Sequence, residues 1–124
     1  MTSLHVKIAL ATMSLVATAA TDADSRSGFR AAMDQAMTTM MADMQVAPTG
    51  DVDRDFTQMM VPHHQGAIDM AVAEIRYGTN PGLKRIAQEI IVEQQQEIVA
   101  MRVATGAALP QPEPTPIQQP VKGH

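Results

Sequence analysis

The chain has 124 residues and a net charge of −4, with eleven methionines, one tyrosine, two phenylalanines and neither cysteine nor tryptophan. That length suits one domain, and the missing cysteine excludes a disulfide framework, a thiolate metal or iron–sulfur site and a thiol nucleophile. Scarce aromatics and the absence of a basic block exclude a nucleic-acid binder that stacks bases, which leaves the methionines to be explained.

The N-terminus reads as an export signal. Lys7 gives a short positive region, and Ile8 to Ala20 (IALATMSLVATAA) is apolar but too short to anchor stably in a bilayer. Ala17-Thr18-Ala19 supplies the small residues a signal peptidase needs, so cleavage is expected after Ala19 or Ala20. Residues 1–20 are thus expected to be a signal peptide. The mature protein is expected in the periplasm or outside the cell, with no membrane association after cleavage.

Helical periodicity then predicts a domain over residues 25–106. Its first helix is expected from Ser25–Ser27, with serine as N-cap, to Gln45, stopped by Pro48-Thr49-Gly50. With Met33 set at zero on a helical wheel, Met37, Met40, Met41 and Met44 fall at about 40°, −20°, 80° and 20°. Phe29, at about −40°, caps the same stripe. Methionine at this spacing commonly packs a core. A core built for a unique packing uses leucine and isoleucine, however, and this segment has neither.

The second helix is expected from Asp51–Asp53 to Tyr77. Asp51, Asp53 and Asp55 suit its positive N-terminal end, and Gly78 caps its C-terminus. Its centre is MMVPHHQGAIDMA, Met59 to Ala71. Met59, Met60, His63, His64 and Met70 share one broad face. Met59–His63 and Met60–His64 are each four residues apart, so the side chains of each pair can converge on one atom. A lone histidine on an apolar face is usually a satisfied core residue, but two adjacent ones within a methionine cluster point to metal ligation. Pro62 removes an N–H and presses on the Gln58 carbonyl. It either kinks the helix so that these side chains splay into a pocket, or marks the helix start.

The third helix is expected from Asn80-Pro81, an N-cap followed by proline at the first helical position, to about Thr105. Leu83, Ile86, Ala87, Ile90, Ile98 and Met101 form its apolar face, together with Gln94 and Glu97. Polar groups on such a face need partners. An imidazole N–H from His63 or His64 would serve, with Glu97 or Gln94 holding the ring from behind. Otherwise the helix turns and both reach water. Short links make neighbouring helices antiparallel. Residues 107–124 carry Pro110, Pro112, Pro114, Pro116 and Pro120 and read as a solvated, disordered tail, in which His124 is expected to have no role.

Thioethers are poor ligands for Mg, Ca or Zn but suit Cu(I) and Ag(I), and imidazole suits copper in both oxidation states. Two histidines are too few protein ligands for zinc. A di-iron centre needs Glu-x-x-His pairs, and neither His63 nor His64 has a glutamate three residues before it. The expected site is therefore a thiol-free copper site. It would draw on His63 or His64 with Met59, Met60, Met70 and a methionine from Met33, Met37, Met40, Met41 or Met44, and Met101 would close it from the third helix. No nucleophile–base pair is visible and no enzyme is expected. An oxidase would require an open metal position for oxygen.

Asp55-Phe56, the MMVPHHQGAIDMA string and Ile90…Gln94…Glu97-Ile98…Met101 resemble the domain-of-unknown-function family 305. The likeness covers about Phe29 to Arg102. It implies an exported, ferritin-like helical protein, and some family members are Met/His-rich copper-resistance proteins. It also implies His63, His64, Met59, Met60, Met70 and Met101 as motif positions, and the Met33–Met44 stripe is similar to the Met-rich leading helix of copper-binding relatives. Longer relatives repeat the motif within four or more helices. This chain has one copy and three helices, a half-open bundle that a homodimer would complete. The expected fold is thus all-α, an antiparallel three-helix ferritin-like bundle. The expected function is exported Cu(I) binding in metal buffering, transfer to an unidentified delivery partner, or tolerance. The alternative is a non-catalytic helical interaction module whose Met face is a dimer or partner surface.

Overall fold

The computed structural model describes residues 3–109, with side chains from Thr21 onward. The Pro-rich segment from Pro110 to His124 lies outside the described residues, as do the side chains of residues 1–20. The described chain is all-α: α1 (Ser3–Asp43), α2 (Val52–Tyr77) and α3 (Pro81–Ala104). No described helix is long and apolar enough to cross a membrane.

Two helices begin where the sequence predicts, because their start signals are chemical. The Asp51 carboxylate accepts from the Asp53 and Arg54 N–H groups at 3.0 and 3.1 Å, satisfying donors that the first turn leaves open. Asn80 does the same for Gly82 and Leu83, with Pro81 at the first helical position. The link before α2 is tied as well. The Thr49 N–H and hydroxyl both donate to one Asp55 carboxylate oxygen, at 2.8 and 2.6 Å, and Gly50 adopts a φ of 87° that side-chain-bearing residues rarely take.

The first helix departs from expectation. It runs unbroken through Ser25–Ser27 and ends at Asp43 rather than Gln45. The physical reason lies at Ser27, whose hydroxyl donates backwards to the Asp24 carbonyl at 2.9 Å. It serves a helical backbone already in place and caps nothing. No proline or left-handed glycine breaks this stretch. Pro62 likewise lies inside α2, ten residues after its start, so it does not mark that start.

The three helices lie side by side. α2 packs against both α1 and α3, whose backbones do not approach each other. The buried positions of α2 fall on two opposite sides. Gly66 and Ala73, seven apart, serve the α1 side, and His64, Ile68 and Ala71 (i, i+4, i+7) serve the α3 side. Small residues let the helices come close. A Cβ built on Gly66 would sit 2.6 Å from the Met40 sulfur, and one on Gly28 would sit 2.6 Å from the Tyr77 ring. Both pairs, and the pairing of His64 with Glu97, show neighbouring helices running antiparallel.

This arrangement leaves a thin core of Ala36, Met40, Ile68, Ala71, Ala73, Ala87 and Ile98. Four of those seven are alanine, so little apolar area leaves water. It also leaves two broad faces. One carries a groove of about 370 Å³ between α1 and α3, floored by Ala67, Met70 and Ala71 and walled by Phe29, Met33 and Ile90. The opposite face is more polar, with Asp43, Gln58, Gln65 and Arg102 around Pro62. There Arg102 donates to the Ala108 carbonyl at 2.9 Å and holds the chain leaving α3. Leu83 and Ile86, expected in the core, are about half exposed at the rim of the first groove. α3 is turned so that, of the expected face, Ala87 and Ile98 are the buried residues.

Candidate metal centre

The two adjacent histidines have different surroundings. His64 is buried toward α3. Its Nδ1 lies 2.8 Å from the Met60 carbonyl, which can only accept, so that nitrogen carries a proton. Its Nε2 lies 2.6 Å from the Glu97 carboxylate, and Gln94 donates to the same oxygen at 3.4 Å. Both ring nitrogens are therefore engaged within the protein. Of the two fates the sequence allows for Glu97, the structure combines both: its side chain is 58% exposed and still bonds an imidazole.

His63 is exposed. It meets the His64 ring edge-on, with centroids 6.1 Å apart, and its ring nitrogens make no hydrogen bond or ion pair among the described residues. It is the histidine of α2 that can still give a nitrogen lone pair to something outside the fold.

The methionines separate by depth rather than forming a uniform stripe. Met40 is 8% exposed and packs over Gly66. Met33 and Met70 are half-buried and line the apolar groove from α1 and α2. Met44, Met60 and Met101 are also half-buried. Met37, Met41 and Met59 are 44%, 52% and 46% exposed. On the α1 wheel Met37 and Met41 turn progressively from Met33 away from the buried Ala36, by about 40° and 80°. Arg30, at about 60°, lines a pocket together with the groove residue Glu74, so this side of α1 is the groove side. Met59, His63 and Met70 lie within about 40° of each other on α2. The open face thus gathers thioethers from α1 and α2 around the free imidazole. The pairing of His64 with Glu97 sets Met60 level with Met101 across α2 and α3.

Among the described residues, no group of three or more His, Asp or Glu side chains is arranged to hold a metal. A metal on this face would have to draw on sulfur. The donor set that fits is one imidazole with neutral, polarisable thioethers, the set suited to a soft monovalent ion. The wheel could not reveal the split between the histidines, because it does not say which side of α2 meets α3. The signal was present in Glu97, a carboxylate on an otherwise apolar face.

The fold and this face define an all-α protein whose open surface is decorated with methionine and one free histidine. A family model described as Domain of unknown function (DUF305) matches residues 7–105, and the chain belongs to that family. No curated protein matches the chain.

Proposed function

We propose that the protein is an exported, non-catalytic Cu(I)-binding protein that buffers or transfers the ion, with Ag(I) as a chemical substitute. One observation carries the reading. His63 offers an exposed imidazole free of protein partners on the same face of α2 as Met59 and Met70. Met60 lies three residues before it, Met41 and Met37 flank the open face from α1, and Met44 follows just after the end of α1. His64 acts differently from a ligand: tied to Met60 and Glu97, it fixes the turn that presents His63. The exposure of Met37, Met41 and Met59 suits a carrier that hands an ion on better than a closed store. An export signal over residues 1–20 fits this role, because a thioether site does not depend on a reduced thiol outside the cytosol.

A second reading is favoured by one feature, the apolar groove at Met33, Met70 and Ile90, which makes this face a protein-docking surface. The two readings separate on titration of the protein with Cu(I) against a competing chelator under anaerobic conditions. Copper binding predicts a stoichiometric complex, weakened at least about tenfold in His63→Ala and by less in His64→Ala. Unchanged affinity when both histidines are alanine contradicts the proposed site. No binding by the wild type contradicts copper function and favours the docking surface.

A further inference from the structure

We infer that two copies of this chain dock face to face through the open methionine face, about a two-fold axis at His63, each inserting Phe56 into the other's apolar groove. Phe56 is 57% exposed and points from α2 on the groove side. It lies seven residues before His63, and Met70, on the groove floor, lies seven after it. A two-fold axis at His63 and across the helices therefore brings each phenylalanine level with the partner's groove. The groove has the shape to receive it, because Ala67 and Ala71 leave the floor low. One patch holds both knob and hole, which is what an isologous interface requires.

Charge agrees with the same register. Arg26 and Arg30 border the groove beside Tyr77, at one end of the face. The axis sets them level with the partner's first turn of α2, where Asp53 is exposed. The area suffices as well. α1 flanks α2 only from about residue 62 to Tyr77, so three helices at about 9 Å spacing there, with α2 and α3 beyond, present about 800 Å² of face, which matches the about 800 Å² per partner of a standard interface. Among the described residues the core has seven buried apolar side chains, mostly alanine, which gives the chain reason to cover that face.

The axis has a consequence for the metal, which rests on the copper reading above. His63, Met59 and Met41 of both copies converge there, so one Cu(I) is held between two chains rather than within one. The docking itself needs no metal.

The chain has no cysteine, so a single introduced thiol reports proximity cleanly. The full chain carrying His63→Cys, treated with diamide in metal-free buffer, should form a disulfide-linked dimer, while Val72→Cys on the opposite side of α2 should stay monomeric on the same gel. The wild type should sediment as two chains without metal, and Phe56→Asp as one, with unchanged helical circular dichroism. A monomeric wild type, or equal cross-linking at both positions, overturns the docking. The cross-linking pair still decides if Phe56→Asp fails to fold. For the metal, wild type should bind one Cu(I) per two chains and Phe56→Asp at least about tenfold more weakly. Full affinity in a monomeric Phe56→Asp overturns the shared site and leaves the copper reading standing. A dimer without Cu(I) affinity supports the docking and overturns the copper reading.

Discussion

At the scale of single residues, chemistry is divided between neighbours that look alike in the sequence. His64 has both nitrogens engaged and behaves as part of the frame, and His63 keeps its own free. Replacing Glu97 by Gln keeps the shape but removes the carboxylate from a buried ring. Since Glu97 itself is more than half exposed, the loss should be modest, about 1 kcal/mol in denaturant unfolding. No loss would mean that the contact does not order α3. Asp55 makes a second residue-scale case. The Thr49 hydroxyl, then the Thr49 N–H, hold its carboxyl below the ordinary value of 3.8. A lowered folded value means that the contribution is complete above the ordinary value and is lost as pH falls through the lowered one. In Thr49→Val the Asp55 midpoint, followed by NMR, should rise toward 3.8; an unmoved midpoint would show that the hydroxyl does not set it.

At the scale of elements, closeness of helices depends on what is missing from α2. Gly66 gives Met40 its place, and adding one methyl there meets the Met40 Cβ and Cγ at 2.9 Å as well as its sulfur. Gly66→Ala gains helix propensity of about 1 kcal/mol. The clash with a buried side chain should outweigh that gain, leaving a net loss of about 1–2 kcal/mol in unfolding measurements. Trimming the neighbour to give Met40→Ala with Gly66→Ala should cost less than the two single changes added together. Strict additivity would show that the two residues are not coupled.

The same elements show what the sequence discloses. α2 and α3 were legible to within a residue because Asp51 and Asn80-Pro81 are start signals that act locally. The start of α1 was not, since Ser25 and Ser27 are good caps that a continuing helix can also absorb. The methionine stripe was visible as a stripe. Its division into buried Met40, groove-lining Met33 and exposed Met41 depends on where α2 lies, which no periodicity within α1 contains. The His64–Glu97 pair was half legible: an acid on an apolar face requires a partner, and the helix contact chose which histidine supplies it.

At the scale of the whole molecule, three helices in a single layer bury little and expose one side rich in thioether and apolar carbon. Such a layer gains by covering that side, and the methionines that make it adaptable as a surface are the same ones proposed to hold a soft ion. Cu(I) should therefore stabilise the folded chain, with a melting temperature that rises with ion concentration. Mg(II) and Ca(II), which prefer oxygen ligands, should leave it unmoved. A shift with the hard ions alone would place binding at the aspartates of α2 instead. The most direct measurement is X-ray absorption at the copper edge on the Cu(I)-loaded wild type. The account predicts a first shell of thioether sulfur with one or two imidazole nitrogens, the nitrogen contribution vanishing in His63→Ala. A shell of nitrogen and oxygen alone, or one unchanged in His63→Ala, would contradict it.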